Sequence, residues 1–118
     1  MLLHTFEKSV KVNQIIDCLQ KPQTKLHCKG LIGSAITFTI DAIFKKSDVP
    51  FLFICNEKEE AAYFLNDLEQ MIGQKDVLFY PSSYRRPYQL EETDNANILL
   101  RSEVLNRINS RKKPSVIV

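Results

Sequence analysis

The 118-residue chain contains no tryptophan, only 2 histidines and 3 glycines, and an odd number of cysteines, 3. No two cysteines form a C-x-x-C pair, so the sequence favours neither a disulfide framework nor a zinc site. His4 and His27 lie far apart and have no acidic cluster beside them, which disfavours a metal-ligand or catalytic-base role for either. We therefore expect a reduced, cytoplasmic domain without a metal ion.

A strong net charge and long apolar runs are also missing. With 16 basic and 14 acidic side chains, the net charge of +2 is too small to indicate a nucleic-acid or membrane partner. No apolar run approaches the roughly 18 residues of a membrane span. The first ten residues, MLLHTFEKSV, do not resemble a secretory signal. A hydrophobic content of 44% is sufficient for a core, so we expect residues 1–118 to form a single domain.

The residue pattern alternates between helices and strands. Strands are predicted at residues 25–29, 51–55, 77–80 and 115–118. Apolar residues at helical spacing predict one helix before the first strand and one between each successive pair of strands. Strands joined by single helices imply right-handed crossovers and a parallel sheet with helices on both faces. The predicted fold class is therefore a three-layer α/β domain, with the fully apolar run FLFIC (51–55) as a central strand.

Capping residues indicate where the helices begin and end. Ser9 is predicted to cap the first helix, and Asn56 to cap the third, with Glu59 at its capping-box position. Gly73 has the position of a residue that ends a helix. The last helix is expected to begin after Thr93 or Asp94.

The turn after the first predicted strand has the frame of a phosphate-binding loop, but lacks two of its residues. In the pattern G-x-x-x-x-G-K-[ST], Gly30 and Thr37 match, with Gly33 between them. The second glycine is replaced by Ala35 and the lysine by Ile36. A glycine lets backbone N–H groups surround an anion, and the lysine supplies the charge that contacts the β- and γ-phosphates. Only Thr37 keeps a side chain able to contact Mg²⁺.

Other parts of a nucleotide enzyme are also missing from the sequence. The second and third predicted strands are followed by Asn56 and Pro81 rather than by an acidic residue that could hold a metal ion. There is no G-x-S-x-G nucleophile motif, so no catalytic residue is assigned. We interpret the turn as a vestigial phosphate loop that connects a strand to a helix. An active nucleotide-binding domain is the alternative.

A polar, aromatic loop at residues 81–92 is the second candidate site. Guanidinium groups beside aromatic rings are suited to phosphate contact and base stacking. The candidate interaction residues are Tyr84, Arg85, Arg86 and Tyr88. Acidic residues follow closely, so pairing of the arginines within the chain is an equally good interpretation. A nucleic-acid-binding module is therefore a further alternative. The basic run 111–113 is interpreted as a solvated helix end.

Four segments together resemble a known family: GLIGSAITFTIDAIF, FLFICNEKEEAAYFLNDLEQMIG, DVLFYPSSYRRPYQLEETDNANILLRSEVLNRI and RKKPSVIV. They are similar to the N-terminal, UvrB-like domain of the bacterial transcription-repair coupling factor, especially its Bacteroides-type forms. The turn also resembles that of UvrB, in which an intact phosphate loop is followed by TFTI, as at residues 37–40 here. Ala35 and Ile36 fit the loss of nucleotide chemistry in the coupling-factor copy. Loop 81–92 is too short to match the DNA-clamping hairpin of UvrB.

The resemblance implies the fold of the first domain of UvrB, a P-loop-NTPase-like sheet, and a role within a longer protein. The coupling factor is an ATP-dependent DNA translocase that displaces stalled RNA polymerase and recruits UvrA for nucleotide excision repair. Its ATP and Mg²⁺ belong to a downstream motor, so this chain is expected to be non-enzymatic and to hold no cofactor.

Partners are likewise implied by the resemblance alone. UvrA is expected to bind mainly through an insertion domain that begins just past Val118, and the chain itself to pack against its own C-terminal domains. RNA polymerase and DNA are partners of the full-length protein. The buried-type strand at the end of the sequence, VIV, also suggests the N-terminal part of a longer, multidomain protein.

Overall fold

The computed structural model describes residues 2–82, 95–110 and 113–118. Within these ranges the chain forms five helices and three short strands. In chain order they are α1 (Leu2–Glu7), α2 (Val10–Leu19), α3 (Ala35–Lys46), β1 (Phe51–Leu52), α4 (Lys58–Ile72), β2 (Val77–Leu78), α5 (Asn95–Ser110) and β3 (Val116–Ile117). None of the helices in these ranges could cross a membrane.

The three strands form one parallel sheet in the order β1-β3-β2. Val116 is in register with Phe51 on one side and with Val77 on the other, so β3 occupies the centre. The run 51–55 was expected to be a central strand, and this is wrong for the described sheet: β1 lies at its edge. An apolar composition indicates that both faces of a strand are buried, but it does not indicate whether the strand pairs with one neighbouring strand or with two.

Helices cover both faces of the sheet. Successive residues of a strand point to opposite faces, so each strand contributes side chains to the core on either side. Leu68 of α4 belongs to one buried cluster with Val77 and Val116. On the opposite face, Val104 of α5 is buried with the next residue of each of those strands, Leu78 and Ile117. These two clusters are the core on either side of the sheet.

The amino-terminal helices pack on α3, and the start of β1 lies against the same cluster. Val12 of α2 is buried with Ala42 and Ile43 of α3. The ring of Phe6 in α1 is stacked on that of Phe38, with 5.4 Å between their centroids. Helix α3 therefore lies between the amino-terminal helices and the rest of the domain, which fixes the position of its first turn.

The strand predicted at 25–29 is not present. Residues 21–30 are all exposed, and no ladder hydrogen bond is formed by this segment within the described chain. Alternating polar and apolar residues favour an extended backbone, but a strand also needs a neighbouring strand that accepts and donates its hydrogen bonds. The segment is therefore an extended connection between α2 and α3.

Predicted helix ends are confirmed in some places and shifted in others. Gly73 ends α4 with a φ of 108°, a conformation that favours glycine. The N-cap of α4 is Glu57 rather than Asn56, and the backbone N–H of Asn56 donates to the Glu60 carboxylate at 3.1 Å. The predicted capping role of Glu59 is therefore taken by the residue after it. The predicted caps of α5, residues 93 and 94, lie outside the described residues.

Candidate functional site

The turn that precedes α3 contains the residues predicted to form the vestigial phosphate loop. Gly30 and Gly33 have φ angles of +83° and +54°, so both use the left-handed conformation that glycine allows. Ser34 follows as the N-cap, and α3 begins at Ala35. The helix expected after the turn is present, but the strand expected before it is not. A phosphate loop lies between both elements, so only half of its structural context exists here.

Two of the backbone groups at this helix terminus are already in use. The N–H of Ala35 donates to the carbonyl of Ile32, and the N–H of Ile36 donates to the carbonyl of Gly33, both at 3.2 Å. Anion binding at a helix start depends on N–H groups that lack a partner within the helix. The first turn of α3 therefore offers a ligand fewer donors than an open phosphate loop does.

Thr37, the residue at the Mg²⁺-contacting position of the motif, is fully buried. Its hydroxyl donates to the carbonyl of Ser34 at 2.8 Å. The side chain thus stabilises the first turn of α3, and the hydroxyl is not available to a metal ion in solvent. The sequence had left this Mg²⁺ contact open, and the geometry does not support it. Ile36, one residue earlier, is half-buried and brings no charge to the turn.

A carboxylate from another helix lies at the start of α3. The hydroxyl of Ser34 donates to Asp67 Oδ2 at 3.1 Å and is 3.1 Å from the hydroxyl of Tyr63. Tyr63 and Asp67 are one turn apart on α4, so both face the same point. Negative charge is favourable at a helix N-terminus, and here the protein supplies it from its own α4.

This contact was not predicted from the sequence. Asp67 is half-buried, not fully solvated. Its i, i+4 spacing from Tyr63 was visible in the sequence, because two polar groups at that spacing share a helix face. The sequence does not reveal the hydrogen-bond partner of Asp67, because Ser34 lies 33 residues away along the chain.

A second candidate site is a cleft of about 970 Å³ at the carboxyl ends of the strands. Ligands of open α/β sheets bind at this edge. Residues that follow β1 and β2 line the cleft together with the start of α5; they include Cys55, Asn56, Lys58, Tyr80 and Asn95. Asn56 and Pro81 both line the cleft, and so does Glu57, the residue after Asn56.

Cys55 is the only thiol in the lining of this cleft among the residues described. Burial raises the pKa of its thiol, and the negative charge of Glu60 raises it further. A raised pKa keeps the thiol protonated at neutral pH, which removes its nucleophilic form. The cleft therefore contains no activated cysteine.

Metal binding is not indicated in the parts of the chain that the structure describes. They hold no cluster of three or more histidine, cysteine or acidic side chains that could bind an ion. His4 and His27 are both exposed. The predicted interaction residues Tyr84, Arg85, Arg86 and Tyr88 lie outside the described residues, as does most of the basic run 111–113, so those interpretations stay predictions.

Comparison with known proteins gives one similarity. The chain is 30% identical over 80 residues to UvrABC system protein B of Microcystis aeruginosa (strain NIES-843 / IAM M-2473). That stretch is UvrB-like. It covers 68% of this chain but only 12% of the relative, so the chain spans a small part of that protein. No protein-family model matches the chain, and no solved structure matches it.

Proposed function

We propose that this chain is a non-catalytic, UvrB-like module of a bacterial transcription-repair coupling factor that acts in nucleotide excision repair. Its role is that of a scaffold for the interface with the repair protein UvrA. The similarity to UvrB supports the UvrB-like part of this proposal. The four segments quoted above favour the coupling factor over UvrB itself, because the turn lacks the glycine and lysine of an intact phosphate loop.

One observation carries the non-catalytic part of the proposal: Asp67 lies at the start of α3. Its carboxylate accepts a hydrogen bond from Ser34, the N-cap of that helix. A triphosphate at this terminus would meet a negative charge within a few ångströms, and like charges at that distance repel. Without the lysine that Ile36 replaces, no nearby residue of the motif offsets this repulsion.

In this proposal the fold is a P-loop-NTPase-like α/β domain that has lost its ligand. The parallel sheet with helices on both faces is consistent with that origin. ATP and Mg²⁺ would be bound by the motor of the full-length, cytoplasmic protein, which would also contact RNA polymerase and DNA. UvrA would be bound mainly by an adjacent insertion domain, which this module positions.

Isothermal titration calorimetry with MgATP tests the proposal on the chain itself. We expect no saturable heat with nucleotide at up to about 1 mM, a concentration that detects even weak binding. Micromolar binding would overturn the non-catalytic interpretation and favour the alternative, an active nucleotide-binding domain. It would also favour UvrB itself as the closer functional counterpart.

A double variant restores the motif without removing the other obstacles. Ala35→Gly with Ile36→Lys recreates the glycine and lysine, but leaves Thr37 buried and Asp67 in place. We therefore expect no ATP hydrolysis above background in a phosphate-release assay. Turnover by this variant would contradict our account of why the turn is inactive. Adding Asp67→Asn to the double variant tests separately how much the carboxylate, rather than the missing glycine and lysine, prevents ATP hydrolysis.

A further inference from the structure

Residues 25–29 form an extended segment whose backbone is unpaired in the described structure. The segment contains no turn or bend, and none of its backbone N–H or carbonyl groups forms a hydrogen bond with a described residue. A row of unpaired backbone groups is what the edge of a sheet offers to an added strand. The segment is therefore able to bind an extended peptide through its main chain.

The side chains of this segment form two rows, because successive residues of an extended chain point to opposite sides. Leu26 and Cys28 form one row, and both line a cleft of about 650 Å³ that α2 also lines. Two apolar side chains of that helix, Val12 and Ile15, border the same cleft. Leu26 is 50% exposed, so this row has apolar surface that a ligand can bury.

The opposite row is basic. Lys25, His27 and Lys29 are all exposed and follow one another at intervals of roughly 6.6 Å, the spacing of alternate strand residues. Neither lysine forms an ion pair within the described chain. Residues 18–40 contain three lysines and no acidic residue. The only acid that lines the cleft in the described ranges, Asp17, belongs to α2 and not to this segment.

We propose that residues 25–29 are a docking segment for an acidic, extended peptide in which acidic and apolar residues alternate. Residues directly opposite each other on paired strands share one face. Acidic residues of the peptide therefore lie opposite Lys25 and Lys29, and its apolar residues lie opposite Leu26 and Cys28. In this mode of recognition the main-chain hydrogen bonds supply affinity and the side-chain pattern supplies specificity.

The charge pattern selects this occupant over a second copy of the chain. If residues 25–29 of two copies paired in register, parallel or antiparallel, a lysine would lie opposite a lysine, and like charges at such positions are destabilising. Lysines on an edge are one of the devices by which proteins prevent self-pairing. A single-stranded nucleic acid is disfavoured as well, because the segment has no aromatic ring for a base to stack on and its apolar row would stay unused.

Fluorescence anisotropy with labelled peptides tests the pattern. The probe has the core EVEVE, and the matched control peptide has the same composition in the order EEEVV. We expect EVEVE to bind with a dissociation constant below about 1 mM, and EEEVV to bind at least about fivefold more weakly because its residues do not match the two rows. Equal binding of both peptides would mean that charge alone explains the affinity, and would overturn the proposal. So would the absence of saturable binding by EVEVE, or tighter binding of an oligothymidylate.

Charge reversal tests the site. Lys25→Glu with Lys29→Glu should raise the dissociation constant for EVEVE by about tenfold or more, and should create binding of a KVKVK peptide that the native chain does not bind. Lys58→Glu with Lys75→Glu is the matched control. It changes the net charge equally at two exposed lysines that do not line the cleft, so binding of EVEVE should stay within about twofold at physiological salt. Equal weakening by the two double variants would contradict the proposed site.

Amide hydrogen exchange distinguishes strand addition from loose electrostatic contact. In the free chain the amides of residues 25–29 should exchange quickly, because none of them donates to a described residue. Saturating EVEVE should slow exchange at alternate residues of the segment, since every second amide of an edge faces the added strand. Binding that leaves exchange in residues 25–29 unchanged would overturn the proposal.

Discussion

Residues 115–118 and residues 25–29 look alike in the sequence and differ completely in the structure. Both are short apolar or alternating runs that favour an extended backbone. Residues 115–118 are all buried and supply β3, the centre of the sheet. Residues 25–29 are all exposed and form no strand. The comparison shows that a local preference for extended structure becomes a strand only where neighbouring strands are available.

The difference follows from what surrounds each segment. Val116 donates its N–H to the carbonyl of Asp76, and Val118 donates to that of Leu78, while the other side of β3 accepts bonds from β1. The segment 25–29 instead runs beside α2, where Leu26 and Cys28 border an open cleft of about 650 Å³. A helix surface has no free backbone groups to offer a strand.

The largest expected effect is a difference in stability between a variant with a charge in β3 and a variant with a charge in residues 25–29. Val116→Asp buries a carboxylate at a position that is 0% exposed, so it should lower the free energy of unfolding by more than about 4 kcal/mol or prevent folding. Leu26→Asp changes a side chain that is 50% exposed and should cost within about 0.5 kcal/mol. Urea denaturation followed by circular dichroism measures both.

Equal losses for the two variants would show that residues 25–29 are as well packed as β3, and that our comparison is mistaken. Val116→Ala separates the charge from the loss of volume. It should be milder than Val116→Asp, because it leaves a cavity without burying a charge.

Local signals predicted α2, α3, α4 and α5, but not α1 (Leu2–Glu7). The apolar periodicity of α3 and α4 and the helix-ending position of Gly73 depend on residues within a few turns of each other, so one sequence contains the necessary information. The strand order could not be obtained in this way. That β3 lies between β1 and β2 depends on how two helices pack on opposite faces, which no single segment encodes.

The candidate site shows the same division. The replacement of a glycine and a lysine by Ala35 and Ile36 is visible in the sequence. The hydrogen bond between Ser34 and Asp67 is not visible, because it exists only when α3 and α4 pack together. Burial of Thr37 likewise depends on tertiary structure, which is why the sequence left its contact with Mg²⁺ open.

The exposed segment and the end of β1 each contain a cysteine, so the reactivity of the two thiols allows the two regions to be compared. Cys28 is exposed, whereas Cys55 is half-buried and burial raises the pKa of its thiol. Since only the thiolate is nucleophilic, Cys28 should be alkylated by iodoacetamide about tenfold faster than Cys55 at pH 8. Mass spectrometry of timed, quenched samples measures both rates in one experiment. Similar rates in native protein would mean that the end of β1 is as open as residues 25–29; in urea the two rates should converge.

The smallest expected effect on stability concerns the ion pairs that Lys45 of α3 makes within its own helix and with α1. Lys45 of α3 lies 2.8 Å from Asp41 Oδ2 and 3.5 Å from Glu7 Oε1 of α1. The hydrogen bond with Asp41 raises the pKa of Lys45, and burial partly opposes this. A lysine whose pKa is raised in the folded state contributes stability that is complete below its ordinary value of 10.5 and is lost as pH rises through the folded value.

Lys45→Gln should therefore lower the free energy of unfolding at pH 7 by about 1 kcal/mol: solvent screens the lysine, whose side chain is 41% exposed, but the side chain of Asp41 is 0% exposed and loses its cationic partner. The difference from the native chain should shrink above pH 10.5, where the native lysine also loses its charge. Lys29→Gln, in the exposed segment, is the matched control and should give no such pH-dependent difference. Urea titrations between pH 7 and about pH 11.5 resolve the two cases, since they bracket the ordinary lysine range. A gap between native chain and Lys45→Gln that stays constant with pH would mean that the side chain acts through packing of its methylene groups and not through its charge.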